Sequence, residues 1–323
     1  MSPVYFILFD GTDAVASTKT NISEIRDIFQ AETQDNVKYI AGTNTRAAST
    51  LTKKIQRLAS TEVHRDVSEA IAWMEGKEDG ELFVFGYSRG AIAARYFAQC
   101  MTNKKFVAQY EIDPPGKIRP VEFLGLFDPV YGPFNFLAAA PRHETDVVHN
   151  SRVKTYAEVN ALNEHRFIMR LRSGKKSYYK WLKDRTTIET KNFNNWGKTI
   201  SDINAPTYYR DREKSGVKIV TNPLGNTGRH FEFMPGGHAD VGGQNGCEVI
   251  ASKSLLTILL TALEASENLK KVIPNGHLDD LIHFTDAAGE PTPNKSLSGV
   301  GRFSRTLKGF GWEYFRRSSI QKM

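Results

Sequence analysis

The sequence predicts an α/β fold in which a mostly parallel central sheet carries helices on both faces. Three short apolar runs rich in β-branched and aromatic residues are typical of buried parallel strands. These predicted strands are Val4–Phe9, Leu82–Phe85 and Val121–Phe127. Each run ends in a turn containing Gly or Asp, and helical patterns lie between the runs. Strands that alternate with helices in this way indicate βαβ units.

The predicted helices follow the strands along the chain. Amphipathic patterns lie around Ile22–Phe29, Ala48–Leu58 and Val67–Met74. The segment Ala91–Ala98, directly after the second predicted strand, is rich in strong helix formers. The apolar segment Ser254–Ala265 predicts a last helix that belongs to the core.

Two segments depart from this rhythm. Residues 140–210 contain the stretch Arg166–Lys198, which mixes Arg and Lys with aromatic residues, and we interpret them as a cap insertion over the sheet. Residues 291–323 form a basic tail, whose part Arg302–Met323 contains six Lys or Arg and five aromatic residues. Its composition fits an interfacial helix, although a docked surface helix is the commoner case. With both segments included, we predict one domain over residues 1–323.

Composition excludes several classes of protein. The 323 residues contain 43 Lys and Arg against 36 Asp and Glu, and this surplus of +7 does not by itself select a partner. No window of 18 apolar residues is present, which argues against a membrane-spanning helix. The first residues lack a basic region, so we expect synthesis in the cytoplasm without a cleavable signal. Two cysteines cannot form a disulfide framework or a zinc site.

The sharpest local signal is the motif Gly86-Tyr87-Ser88-Arg89-Gly90, between a predicted strand and a predicted helix. A tight strand-to-helix turn exposes the serine hydroxyl at the sheet edge and needs glycine on both sides. The amide of Arg89 would then point at a developing oxyanion, and the helix N-terminus adds partial positive charge. We predict Ser88 as a nucleophile, with Gly86 and Gly90 in support. The alternative is a turn that merely uses small residues.

A serine nucleophile requires an acid and a base, which in α/β-hydrolases follow it in the chain order Ser, Asp or Glu, His. Asp128 fits the acid because it ends the strand Val121–Phe127 and precedes Pro129. A turn-forming or helix-capping aspartate is the alternative for this residue. Asp240 is a second candidate, ranked behind Asp128 because it lies only two residues from the predicted base, His238.

The base is predicted among eight histidines. His238 lies in the segment 234–243, where four glycines indicate a loop that bends close to other backbone and holds a side chain outward. His230 is the reserve candidate.

The turn after the first strand, Phe9-Asp10-Gly11-Thr12-Asp13, has two interpretations. In one, the amide of Gly11 or Thr12 supplies a second oxyanion donor while Asp10 fixes the turn. In the other, the chain is a phosphatase with an aspartate nucleophile, but such enzymes need a further aspartate where Leu8 stands. We therefore favour the oxyanion interpretation.

A metal site remains conceivable from four residues without fixed ligand spacing: Asp10, Asp13, His238 and Asp240. We rank it well behind a metal-independent mechanism, and no cofactor is expected.

Four segments match one known family in order: Phe9–Thr12, Phe85–Ala91, Phe123–Val130 and Pro235–Gly243. A fifth, Ala161–Phe167, is similar to the family's Ala-Leu-x-x-Glu-x-Arg stretch. With these matches the chain resembles the type VI secretion phospholipase effectors of the Tle type, which have an α/β-hydrolase catalytic domain. Two departures are Pro129, where the family usually has Thr, and Gln244, where it has a third glycine.

The resemblance implies a serine hydrolase that cleaves carboxylic esters of lipids, an A-type phospholipase acting on membrane phospholipids. By position it implies a triad of Ser88, Asp128 and His238, with Asp10 and Asp240 in support. A non-lipid esterase or amidase, or a non-catalytic binding module on the same scaffold, is the alternative.

The implied partners follow from that activity. They are a phospholipid or other acyl-ester substrate, an anionic membrane surface in peripheral contact, and a secretion-system carrier or an immunity protein. No nucleic acid is expected. The protein would be exported as an effector or bound peripherally to a membrane.

Overall fold

A computed structural model describes the fold of the chain over most of the predicted core. The described residues are 2–42, 63–103, 115–130, 150, 152–161, 229–234, 237–244 and 247–273. The predicted helix Ala48–Leu58, the stretch Arg166–Lys198 and the tail 291–323 lie outside them.

The described core is a six-stranded sheet with the order β2-β1-β3-β4-β5-β6. Every neighbouring pair of strands is parallel. The strands are β1 (Val4–Phe9), β2 (Val37–Ile40), β3 (Glu81–Tyr87), β4 (Val121–Phe127), β5 (Val153–Ala161) and β6 (Arg229–Met234). The predicted α/β class with a mostly parallel sheet is confirmed, and two of the three predicted strands have the predicted bounds.

Strand β5 corrects one sequence-based boundary, because it lies inside residues 140–210, which we predicted to be a cap insertion. Its sequence mixes polar and apolar residues without a regular pattern, and the polar residues Glu158 and Asn160 are buried with the apolar ones. A buried strand with such residues lacks the continuous apolar run by which β1 and β4 were predicted. The rest of the predicted cap lies outside the described residues, apart from residues 150 and 152.

Helices cover both faces of the sheet. They are α1 (Asn21–Thr33), α2 (Val63–Met74), α3 (Arg89–Thr102), α4 (His238–Gly242) and α5 (Glu248–Ala265), with short 3₁₀ turns at Gln34–Asn36 and Leu269–Lys271. Among the described residues, no helix is long and apolar enough to cross a membrane.

The continuous apolar sequence of β1 follows from burial on both sides. Tyr5, Ile7 and Phe9 belong to the core cluster that includes residues of α2 and α3. Val4, Phe6 and Leu8 alternate with them and belong to the cluster that includes residues of α1 and α5. Side chains alternate across a strand, so both faces of a two-sided sheet must be apolar.

The start of α1 links the loop after β1 to the C-terminal helices. Thr20 and Ser23 form a capping box, in which each side chain accepts a hydrogen bond from the other residue's backbone amide. The side-chain amide of Asn21 donates from Nδ2 to the carbonyl oxygens of Val241 and Ala251, at 2.9 and 3.0 Å. The N-terminus of α1 therefore fixes α4 relative to the sheet.

Candidate active site

The turn between β3 and α3 has the geometry that the glycine-flanked motif predicted. Ser88 has φ 59° and ψ −123°, a strained conformation for a residue with a side chain. A Cβ at Gly86 would lie 2.6 Å from the Ala91 Cα, and one at Gly90 would lie 2.3 Å from the Phe9 carbonyl oxygen. Only glycine fits at either position without a shift of backbone. The turn thus holds the Ser88 hydroxyl at the carboxyl end of β3.

His238 and Asp128 meet Ser88 at this edge. His238 begins α4, with Gly237 as its N-cap, and its Nε2 lies 2.8 Å from Ser88 Oγ. Its Nδ1 lies 2.7 Å from Asp128 Oδ2. The segment around His238 was predicted as a loop and instead forms a short helix. All three side chains are buried, so these hydrogen bonds are largely shielded from bulk water.

Asp128 is held at both its backbone and its carboxylate. It has φ 37°, and its amide donates to the Val159 carbonyl at 2.7 Å. Its Oδ1 accepts a hydrogen bond from the Ala161 amide at 3.0 Å, which leaves Oδ2 for the imidazole. Strand β5, which was not predicted from the sequence, therefore orients this carboxylate.

Asp240, the other candidate for the acid, has a different role. Its two carboxylate oxygens accept from the amides of Gly237 and Cys247, at 2.7 and 2.6 Å. These bonds shape the backbone on both sides of His238 rather than contacting its ring. His230, the reserve base, lies within β6 opposite Ala157 of β5.

The turn after β1 lies beside the turn between β3 and α3. Two of its backbone amides, those of Gly11 and Thr12, were predicted as alternative oxyanion donors. The amide of Gly11 donates to Asp10 Oδ1 at 2.7 Å, so this hydrogen is already used. Thr12 is bound instead through its side chain, which accepts from Arg89 Nε at 2.6 Å. Of the two predicted oxyanion donors in this turn, the Gly11 amide is therefore occupied, and the Thr12 amide stays a candidate.

Asp10 is the anchor of this turn. Its Oδ2 accepts from the hydroxyls of Thr20 and Tyr39, at 2.8 and 2.7 Å. Burial raises the pKa of Asp10 to about 6, although the hydrogen bonds from Tyr39, Gly11 and Thr20 act in the opposite direction. Burial, together with the neighbouring Asp10 charge, also raises the pKa of Tyr39.

Tyr87, which lies directly before Ser88, was not predicted as a site residue. Its ring stacks on that of His238 with centroids 4.8 Å apart. The residue occupies a variable position of the G-x-S-x-G pattern, so the motif itself carried no signal for it. Thr20 and Tyr39, the partners of Asp10, were missed because they lie far from any recognisable motif.

The conceivable metal site does not form in the part of the chain that the structure describes. No group of three or more His, Cys, Asp or Glu side chains there could hold a metal ion. Asp10, Asp240 and His238 instead make the separate hydrogen bonds given above.

Several solved structures are similar to the chain at low identity. One described as a YdeN-like hydrolase from Pectobacterium atrosepticum is 11% identical, covers 84% of this chain and 93% of its own, and has a TM-score of 0.38. Esterase B from Lactobacillus rhamnosis is 13% identical over 90% of this chain and 80% of its own, with a TM-score of 0.36. Zea mays acyl-protein thioesterase 2 is 12% identical over 55% and 78%, with a TM-score of 0.30. No curated protein matches the sequence.

A family model gives a more specific match. The model described as the T6SS phospholipase effector Tle1-like catalytic domain matches residues 5–113. This range includes β1, the turn at Ser88 and helix α3. The resemblance predicted from the sequence is confirmed there: over residues 5–113 the chain matches the catalytic domain of the Tle1-like phospholipase effectors.

Proposed function

We propose that the protein is a serine hydrolase that cleaves carboxylic esters of lipids, and specifically an A-type phospholipase. The observation that carries the proposal is the hydrogen-bonded series from Ser88 Oγ through the His238 ring to Asp128, with distances of 2.8 and 2.7 Å. A nucleophile, a base and an orienting acid in this geometry are the requirements of acyl transfer. The match to a phospholipase effector family supports a lipid substrate.

In the proposed reaction, Ser88 Oγ attacks the ester carbonyl carbon while His238 Nε2 accepts the hydroxyl proton. Asp128 holds Nδ1–H of the ring and stabilises the imidazolium. The protonated ring then donates its proton to the departing alcohol, which leaves an acyl group on Ser88. Water, deprotonated by His238, releases the fatty acid and restores the serine.

The negative charge on the carbonyl oxygen is proposed to lie between the amides of Arg89 and Thr12. The side-chain hydrogen bond from Arg89 to Thr12 joins the two segments that supply these donors. Preorganised donors of this kind contribute about 3 kcal/mol each to transition-state stabilisation. The Asp10 carboxylate, within this turn, accepts from the Gly11 amide and fixes the backbone there.

The direct test uses a phospholipid with different acyl chains at its two positions, presented in mixed micelles. We expect the wild-type protein to release a fatty acid and Ser88→Ala to lose at least about 10³-fold in kcat. Ser17→Ala, which changes an exposed serine, is the matched control. Release of a phosphorylated headgroup would contradict A-type cleavage, and activity on short acyl esters alone would indicate a non-lipid esterase.

A fluorophosphonate probe separates an enzyme from a binding module on the same scaffold. An activated serine reacts with the probe, whereas a serine in a merely structural turn does not. We expect labelling of wild-type protein and of Ser17→Ala but not of Ser88→Ala. Absence of labelling in the folded wild-type protein would count against the enzyme.

We further propose peripheral contact with an anionic membrane surface through the basic and aromatic stretch Arg166–Lys198 and the tail 291–323. Each basic residue near such a surface contributes about 1 kcal/mol, and the effect weakens with salt. Sedimentation with anionic vesicles should exceed that with neutral vesicles and should fall as salt is added. Equal sedimentation with both would remove this part of the proposal. Export as an effector, with a carrier or an immunity protein as partner, is proposed from the family match.

A further inference from the structure

We propose that Tyr87 is a positioning residue whose ring face orients His238 and favours its protonated form during turnover. This inference rests on the proposed function, because it assigns a partner to the general base of that reaction. It concerns the side chain that directly precedes the proposed nucleophile in the sequence.

The contact between the two residues has two parts. The rings of Tyr87 and His238 are stacked, with centroids 4.8 Å apart and an interplanar angle of 28°. The Tyr87 hydroxyl donates to the His238 carbonyl oxygen at 3.2 Å. One side chain thus restrains both the ring and the backbone of His238, and it is itself completely buried.

Two glycines make room for the Tyr87 ring from separate parts of the chain. A Cβ at Gly242, on α4, would lie 2.0 Å from the ring atom Cε2. A Cβ at Gly11, in the turn after β1, would lie 2.5 Å from Cδ1. The ring therefore packs between the proposed oxyanion turn and the helix that carries His238. Any side chain at either glycine would displace it.

The stacked face has an electrostatic consequence. An aromatic face carries negative charge density, and a cation within about 6 Å of the ring centroid is attracted to it. When His238 accepts the Ser88 proton, the positive charge forms against this face on one side and beside Asp128 at Nδ1. The ring thus stabilises the imidazolium more than the neutral imidazole, which a purely steric support would not do.

The other charged groups around His238 have partners of their own. Asp240 binds the amides of Gly237 and Cys247, and Asp10 binds groups in the turn after β1. Arg89, at the start of α3, donates to Thr12. On β5, α5 and α1, which also pack against α4, Glu158 is paired with Arg95, and Glu248 and Glu24 are exposed. Among the described residues, Tyr87 and Asp128 therefore have the contacts with the imidazole ring that would stabilise its charge.

The experiment compares side chains at position 87 that differ in ring electrons. Tyr87→Phe keeps the ring and removes the hydroxyl, and Tyr87→Leu removes the ring. Incorporation of 3,5-difluorophenylalanine at position 87 keeps nearly the shape of phenylalanine but weakens the negative face. This last variant keeps the test available should Tyr87→Leu fail to fold. The readouts are kcat and the pH profile of kcat/KM on a soluble acyl ester, with circular dichroism as the check on folding.

We expect Tyr87→Phe to keep the acidic limb of the profile where the wild-type protein has it. The difluorophenylalanine and Leu variants should move that limb to lower pH by about 0.5 to 1 unit and lower kcat about three- to tenfold. The limb moves down because an imidazolium without its aromatic face loses its proton more readily.

Two results would count against different claims. If the limb stays in place in every folded variant, Tyr87 is only a packing residue and this inference fails. If the wild-type activity survives Ser88→Ala, the proposed function itself fails before Tyr87 is tested.

Discussion

Asp128 and Asp240 both lie close to His238 in space, and their hydrogen bonds separate their roles. Asp128 contacts the imidazole, whereas Asp240 binds two backbone amides around it. From the sequence we predicted Asp128 rather than Asp240 as the acid that orients His238, because Asp240 is only two residues from His238 in the chain. The structure adds the reason why Asp240 is buried, which is to hold the start of α4 in shape.

Substitution of each aspartate by asparagine should separate these roles. Asp128→Asn places an amide where Nδ1–H needs an acceptor, so the ring adopts the wrong tautomer and kcat should fall about 10⁴-fold. Asp240→Asn keeps one acceptor oxygen, and we expect a loss of about tenfold at most together with a lower unfolding temperature. Initial rates on a soluble ester and thermal unfolding measure both effects. A larger loss of kcat in Asp240→Asn than in Asp128→Asn would reverse the assignment.

Asp10 provides a prediction about pH. Its pKa is raised by burial from 3.8 to about 6 in the folded protein. Between these values the folded state retains a proton that the unfolded chain has released. The free energy of unfolding should therefore fall as the pH rises from about 4 to about 6, by about 3 kcal/mol from this residue alone.

Urea unfolding of wild-type protein and Asp10→Asn between pH 4 and pH 7 tests this dependence. Because other groups also titrate, the informative quantity is the difference between the two curves. Asparagine can still accept from Gly11 and stays neutral, so the variant should gain stability relative to wild type as the pH rises. Parallel curves would show that Asp10 keeps an ordinary pKa.

At the scale of elements, the connection between β3 and α3 is the part of the fold that the sequence predicted best. An apolar strand, two glycines and a strong helix former all predicted the same arrangement, which the structure contains. Strands β2, β5 and β6 could not be predicted in this way. Strand β2 is short and half-buried, and the buried side chains of β5 include Glu158 and Asn160. Their burial depends on partners far away in the chain, which local patterns do not contain.

Local sequence patterns also decide which residues of the candidate site could be predicted. Ser88, Asp128 and His238 each lie in a segment with a local signature of turns or glycines. Tyr87 and Thr20 contribute through contacts that only the folded chain creates, because Tyr87 meets a residue 151 positions away. Sequence therefore predicted the three residues that the structure brings together, whereas the residues that support them became apparent only in the structure.

The end of β1 packs closely against the start of α3 at Gly90, and this contact gives a prediction about how the two elements fit together. Gly90→Ala would place a Cβ 2.3 Å from the Phe9 carbonyl oxygen and 2.4 Å from that of Asp10, which forces α3 away from the turn after β1. We expect a loss of about 2 kcal/mol or more in the free energy of unfolding, with little remaining activity. Gly116→Ala is the matched control, since a Cβ there would have no heavy atom within 4 Å. Equal stability of the two variants would contradict the packing described for Gly90.

At the scale of the whole molecule, the site is assembled at the carboxyl ends of the strands. Segments after β1, β3, β4 and β6 supply Thr12, Ser88, Asp128 and His238. In a parallel sheet these ends lie at one edge, so residues distant in the chain meet there without a special connection. The stability of the site consequently depends on contacts that lock the helices onto the sheet.

One such contact is a buried ionic cluster between α3 and β5. Arg95 Nη2 lies 2.6 Å from Glu158 Oε2 and 2.7 Å from the Tyr156 hydroxyl, and the side chains of Arg95 and Glu158 are fully buried. Burial is the main cause that raises the pKa of Tyr156. Its hydroxyl therefore keeps its proton and can donate a hydrogen bond. Removal of one ion would leave the other uncompensated in the core, which costs about 3–5 kcal/mol.

We therefore expect Glu158→Leu and Arg95→Met each to lower the free energy of unfolding by that amount, whereas the double variant should recover a large part of the loss. Lys154→Ala, which removes the exposed lysine from its pair with the half-buried Glu122 between the neighbouring strands β5 and β4, should cost less than about 1 kcal/mol. Denaturant unfolding of the four variants measures the coupling. If the single and double variants lost stability additively, the cluster would be packing rather than an ion pair. Because β5 also orients Asp128 through the Ala161 amide, the single variants that still fold should lose the proposed esterase activity together with stability.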